Sequence, residues 1–279
     1  MGSTKSTKKQ LIVPKKPSKL RRARVYIVGE SPMVEEYAEL CGAHGFEVFV
    51  EWNEQPQTIP TFTAQTIKHA RTIPSEISLA LELTNTDLDR KRKNIQNLDR
   101  ALPHTSAIVS SSVIVTATEQ ASWIDHRNRL IGMSALPTLI QKPLVEVAPT
   151  VFSPKETIEV VQLFFRSVGK ELTLVQDRVG MVFPRILCQV INEASFALQE
   201  QIATPQDLDT ALKLGAGYPQ GPVEWADRIG MNQVYAVLSA LQQDLQEDRY
   251  RISPLLTQLA RGGAWWKHAQ SNLQERQER

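Results

Sequence analysis

The side chains with chemical potential in this sequence cluster in a few short stretches. Arg24–Val28 is apolar and β-branched and runs into Gly29-Glu30-Ser31-Pro32, where a glycine-rich loop would cradle a dinucleotide pyrophosphate. Such a loop needs one glycine for the turn, a second for pyrophosphate approach and a third for helix–strand packing. Here those positions read Gly29, Ser31 and Val34. Glu30 enters the loop, and Glu35 and Glu36 follow, where carboxylates favour the helix dipole and repel a phosphate. The acid expected to bind a ribose at the end of the second strand meets Trp52, with Glu51 one residue early. A slip of one residue in a strand turns the side chain to the other face. Glu82, inside a later strand, is a further cofactor-side candidate. Ser134 offers a hydroxyl, but without an adjacent base it cannot accept a proton at neutral pH. Glu146 alone is a weak base unless burial raises its pKa. Cys41 and Cys188 form no CxxC pair, so neither a zinc site nor a disulfide framework is expected.

The elements that position these groups alternate. Helix Met33–His44 opens with Ser31 as N-cap and Pro32 at its first position. Strands are expected at Phe46–Val50, Ile77–Leu83, Ala107–Val115, Arg129–Met133, Leu144–Val147 and Glu171–Val175. Helices Asp87–Leu102 and Pro154–Val168 lie between them, the latter with a Ser153-x-x-Glu156 capping box. This alternation predicts an α/β Rossmann-like, doubly wound parallel sheet. Past Gly180 the period is purely helical: Val182–Gln201, a helix starting at Thr204, a Gly/Pro loop over Gly215–Gly221, Met231–Gln246 and Pro254–Arg261. The expected division is a basic, disordered tail over 1–23, a Rossmann-like domain over 24–176, an all-α C-terminal domain over 177–263 and a polar tail over 264–279.

Composition narrows the class. With 42% hydrophobic and 22% charged residues, the chain can bury a large core. The stretch from Ala101 to Thr118 lacks Lys, Arg, Asp and Glu, but Pro103, His104 and its Ser and Thr residues exclude a membrane span. The first apolar run is only Leu11-Ile12-Val13, so no secretory signal is expected and a cytoplasmic location is. Nine of the 32 basic residues lie in the first 24 positions, leaving 23 against 30 acidic ones. A cationic arm on an acidic body could contact an anionic partner, nucleic acid or membrane surface.

The helical half resembles the C-terminal domain of the L-3-hydroxyacyl-CoA dehydrogenases. The matching residues include Asn192-Glu193-Ala194, Ile202–Asp209, Lys213-Leu214-Gly215-Ala216-Gly217-Tyr218-Pro219-Gln220-Gly221-Pro222 and Arg249–Leu256. Upstream, Ile131-Gly132-Met133 followed by Leu144-Val145-Glu146-Val147 is similar to the family's catalytic segment. The resemblance covers roughly residues 24–260. It implies hydride transfer from a 3-hydroxyacyl-CoA to NAD, by a His held by a Glu and assisted by a Ser and an Asn. Carried over singly, the His position is Ser134, the Ser position Val113 and the Asn position Pro184, while the Glu is retained as Glu146. The segment Asn53–Glu76 is shorter than the family's acyl-CoA-binding excursion, and Ala264-Trp265-Trp266-Lys267 replaces a glycine-rich tail. Three of four catalytic positions and two of three loop glycines are thus replaced together. That favours a degenerate homologue acting as a binding or assembly module, with weak or absent NAD binding. The alternative is an active NAD-dependent oxidoreductase of fatty-acid metabolism. A homodimer through the helical domain is implied, and acyl-CoA is the implied small-molecule partner.

Overall fold

The computed structural model describes residues 23–263. Of the tails expected at 1–23 and 264–279, residues 1–22 and 264–279 fall outside the described residues, with Trp265, Trp266 and His268. Eight strands form one sheet: β1 (Arg24–Gly29), β2 (Glu47–Trp52), β3 (Ile67–His69), β4 (Leu79–Leu83), β5 (Ala107–Ser111), β6 (Leu130–Met133), β7 (Leu144–Pro149) and β8 (Glu171–Leu174). Their order is β3-β2-β1-β4-β5-β6-β7-β8. β4 and β5 are buried throughout, as strands covered on both faces must be, which is why they read as apolar runs.

Two features depart from the expected sheet. β3 is an additional edge strand on β2, only three residues long and without a clear apolar alternation. β7 runs antiparallel to β6, and β8 follows β7 in parallel. The residues between β6 and β7 contain a single 3-10 turn, Leu139–Gln141, and no crossover helix. A parallel return needs a longer connection, so the chain doubles back.

Helices α1 (Met33–Ala43) and α4 (Lys155–Ser167) cover one face, where Val25, Ile27, Val34, Tyr37, Val161 and Phe165 pack together. α2 (Leu88–Ala101) and α3 (Ala117–Ala121) cover the other, over Tyr26, Val28, Ile95 and Leu98. Two expected caps are built differently. α1 has no side-chain cap, and the Ser31 hydroxyl donates instead to Glu35 at 2.9 Å. Ser153 accepts from Thr150 N at 2.9 Å and donates to Leu130 O, closing a turn before α4 rather than capping it.

The helical part comprises α5 (Phe183–Gln199), α6 (Pro205–Gly215), α7 (Pro222–Ile229), α8 (Met231–Leu245) and α9 (Pro254–Gly262). α7 was not foreseen, because only eight residues separate the Gly/Pro loop from Gly230. Its cap comes from another helix. The Asp209 carboxylate accepts from Val223 N at 2.9 Å and Glu224 N at 3.1 Å, satisfying donors that a helix start leaves open. A Cβ at Gly221 would lie 2.0 Å from that carboxylate, so this glycine is needed for the approach. Val113, Leu136 and Leu139 join the core of α5, α7 and α8, tying the sheet to the helices. Among the described residues no helix is long and apolar enough to cross a membrane.

Candidate functional site

The crevice where a doubly wound sheet binds ligands lies beyond the carboxyl ends of β1 and β4. Gly29 makes the turn there: a Cβ would sit 2.5 Å from Leu83 O, so a side chain has no room. The next residue fills the space. One Glu30 oxygen accepts from Thr86 N and Thr86 Oγ1, each at 2.8 Å, and from Asn85 N at 3.2 Å. The other accepts from Gln233 Nε2 on α8 at 2.6 Å. Asn85 extends this network, donating to Gln233 Oε1 and Ala135 O, each at 2.9 Å, and accepting from Ser111 Oγ at 2.6 Å. Asn85 and Gln233 are both buried. The backbone donors at the start of the β4–α2 connection are therefore held by the chain's own carboxylate.

The other cofactor-side candidates are dispersed. Ser31 is exposed, whereas Val34 is wholly buried between α1 and the sheet, so its side chain does the packing that a glycine would omit. Glu35 accepts from Trp52 Nε1 at 2.9 Å, and Glu36 accepts from Thr138 N at 2.9 and 3.0 Å. Both carboxylates stand in the first turn of α1, where they favour its dipole, and each also holds a partner beyond the helix. Burial, foremost, raises the Glu36 carboxyl above its ordinary 4.5. Thr138, with φ at +70°, is the left-handed residue that Glu36 secures. Glu51 lies away from the crevice. It accepts the Tyr26 hydroxyl and lines a separate cavity with Arg71 and Asn94. Asn53 lines the crevice instead, donating to Thr84 Oγ1 at 2.8 Å. Glu82 is wholly buried and paired with the equally buried Lys91 at 2.5 Å, with Ser110 Oγ donating at 2.8 Å. It is inaccessible to a cofactor and belongs to the core.

The four positions carried over for catalysis divide into two pairs. Ser134 and Glu146 line one cavity, and Ser134 N donates to Glu146 O at 3.0 Å. Glu146 is 6% exposed, and its two carboxylate oxygens accept Val182 N at 3.0 Å and Phe183 N at 2.8 Å. The carboxylate thus accepts the first backbone donors of α5, and among the described residues no side chain donates to it. Val113 is wholly buried against the helical core, with its carbonyl accepting Gly180 N. Pro184 is buried in the first turn of α5, where its missing N–H costs nothing. None of the described histidines reaches this site. His44 bonds Leu40 O, His69 stacks on Trp52, and His104 stacks on His126, which bonds Asp99. Both cysteines are buried and free, and burial pushes the Cys41 thiol up to about 12.

Sequence reasoning missed Asn85, Gln233, Asn53 and Thr86. Gln233 carried the only signal, an amide on the otherwise apolar side of α8.

Comparison with known proteins matches this architecture in both halves. Residues 55–178 match the 3-hydroxyacyl-CoA dehydrogenase NAD binding domain, and residues 180–272 match the 3-hydroxyacyl-CoA dehydrogenase C-terminal domain. The first match begins after β2 and leaves out the Gly29–Val34 loop. The chain is 29% identical over 189 residues to the 3-hydroxybutyryl-CoA dehydrogenase of Bradyrhizobium diazoefficiens, covering 68% of this chain and 64% of that one. It is 28% identical over 186 residues to that of Clostridioides difficile, covering 67% and 66%. The aligned stretches thus span just under two thirds of these two relatives' own length. The crystal structure of (S)-3-hydroxybutyryl-CoA dehydrogenase from Ralstonia eutropha shares the fold, with a TM-score of 0.72 at 24% identity over 87% of this chain and 95% of that one. With both domain models matched in order, and the sheet and helices arranged as that structure has them, the chain belongs to the 3-hydroxyacyl-CoA dehydrogenase family.

Proposed function

We propose that this chain is a catalytically degenerate member of its family, acting as a binding or assembly module rather than as a dehydrogenase. One observation carries the reading: the Glu30 carboxylate takes Asn85 N, Thr86 N and Thr86 Oγ1 and is locked by Gln233. A dinucleotide pyrophosphate at the start of α1 would meet the Glu30 carboxylate, and a second negative group beside it would be repelled. The replaced positions Ser134, Val113 and Pro184 support the same reading, because no imidazole stands beside Glu146 and neither Val113 nor Pro184 offers a side-chain donor. The short Asn53–Glu76 connection, which holds β3 and no helix, argues against acyl-CoA recognition. Two free cysteines suit a cytoplasmic setting. We place the domain division at 176/177, between β8 and α5. In an NADH absorbance assay the purified protein should show no oxidation of 3-hydroxybutyryl-CoA beside an active homologue. Measurable turnover would overturn the proposal.

The helical part is also proposed to form a symmetric homodimer. α6 buries none of its eleven residues; Leu214 within it is 83% exposed, and Ile202 just before it 70%. An amphipathic helix left so uncovered needs a partner surface. Light scattering at micromolar protein should give twice the chain mass. A monomer independent of concentration would contradict this.

A further inference from the structure

The cavity that Glu51 lines has a volume of about 530 Å³ and opens between α2 and one face of β1 and β2. That volume lies in the range of small-molecule sites, about 300–1,000 Å³. Side chains alternate along a strand, so Tyr26 and Val28 of β1 share this face with Glu51 of β2. Val28, Ile73 and Leu98 make part of the wall apolar. Its charges are of both signs and do not meet. The Tyr26 hydroxyl donates to one Glu51 oxygen, and burial, foremost, raises its pKa, so it stays a donor. The other Glu51 oxygen has no partner among the described residues. Asn94 is nine-tenths buried and spends its amide hydrogens on Asn53 Oδ1 at 2.8 Å, Thr84 Oγ1 at 3.2 Å and Glu82 Oε1 at 3.4 Å. Its Oδ1 accepts no hydrogen bond among those residues. Arg71 and Arg100 line the cavity and are exposed, and neither has an acidic partner among the described residues. Arg24 and Lys68, the cations over Phe49 on the same sheet face, are by contrast both paired with Glu47. A carboxylate and two guanidiniums thus front one chamber without pairing, and a ligand carrying both charges would satisfy them together.

We propose that this cavity binds a free α-amino acid with an apolar side chain, its ammonium on Glu51 and Asn94 Oδ1, its carboxylate on Arg71 and Arg100, and its side chain against Val28 and Leu98. The planar fork of a guanidinium matches a carboxylate, and a half-buried carboxylate matches an ammonium. A simple anion would be repelled by Glu51 and a simple cation by the arginines, so the mixed wall selects the zwitterion. The site shares no lining residue with the crevice that Glu30 fills or with the cavity of Ser134 and Glu146. It goes beyond the reading of catalytic degeneracy and stands or falls separately from it.

Titration calorimetry of the full chain with L-phenylalanine tests this, beside 3-phenylpropanoate, which lacks the ammonium, and phenethylamine, which lacks the carboxylate. L-Phenylalanine should saturate one site per chain, and each one-charge analogue should bind at least tenfold more weakly, since it loses a charge-assisted contact. Glu51→Gln, which still accepts the Tyr26 hydroxyl, should weaken L-phenylalanine about tenfold, and Arg71→Met/Arg100→Met should do the same from the other end. Asn97→Trp, on the cavity wall at an exposed position of α2, should abolish binding. The arginine and Asn97 variants alter exposed side chains, so they decide the matter even if Glu51→Gln fails to fold. Absence of saturable L-phenylalanine binding would overturn the proposal. So would an analogue that binds as tightly as L-phenylalanine, or unchanged affinity in the arginine pair or in Asn97→Trp.

Discussion

A Ser134→His variant is expected to remain without measurable oxidation of 3-hydroxybutyryl-CoA in the NADH assay. Supplying a general base is ordinarily worth about 10²–10⁴ in rate, so in an otherwise intact site the gain would be plain. Here Glu146 already holds Val182 N and Phe183 N at 3.0 and 2.8 Å, and an imidazole that reached its remaining lone pairs would restore only one part of the site. A substrate oxygen would meet Val113 and Pro184, neither of which donates a side-chain hydrogen bond. The acceptor crevice would still contain Glu30. Groups that act as one unit are not additive, so repairing one among several recovers little. Strong turnover in the single variant would mean that the remaining parts are intact and that degeneracy is the wrong reading.

Lys91→Ala should destabilise the protein by about 3–5 kcal/mol, a large share of the roughly 5–15 kcal/mol by which folded proteins outweigh their unfolded chains. Lys91 and Glu82 are both wholly buried and 2.5 Å apart, and Lys91 Nζ also donates to Thr84 O at 2.9 Å. Removing the ammonium strands a carboxylate in the core with only Ser110 Oγ at 2.8 Å and Asn94 Nδ2 at 3.4 Å. The double variant Glu82→Leu/Lys91→Met removes both charges and should recover much of the loss, because a buried pair is often matched by apolar groups of similar volume. Urea unfolding followed by circular dichroism reads both. A Lys91→Ala midpoint equal to the wild type's would show that the pair carries no such weight.

The fold was legible where burial and punctuation agree. β1, β4 and β5 are apolar runs because both faces are covered, and Pro205, Pro222 and Pro254 each stand at a helix start. β3 was not legible, since an edge strand of three residues has neither the length nor the alternation to declare itself. The reversal at β7 is a matter of connection length rather than of strand composition. At the site, the absence of the loop glycines was readable from Ser31 and Val34 alone. What stood in their place was not. The Glu30–Gln233 bond spans 203 positions and the Asn85–Gln233 bond 148, and no local pattern announces such pairs. Glu146 was legible from the resemblance as the retained member of a catalytic pair, whereas its donors, Val182 N and Phe183 N, are backbone groups that no side-chain pattern announces.

The direct test of an occupied crevice is calorimetric titration of the wild-type protein with NAD, alongside the Glu30→Gly/Ser31→Gly/Val34→Gly variant. The wild type should give no saturable heat, or a Kd weaker than about 1 mM, corresponding to less than about 4.1 kcal/mol of binding free energy. Binding that appears only in the triple variant would show that the Glu30 carboxylate and its neighbours are what exclude the dinucleotide. A wild-type Kd in the low micromolar range would contradict the account, since Glu30 would then have to leave Thr86 N and Gln233 without cost.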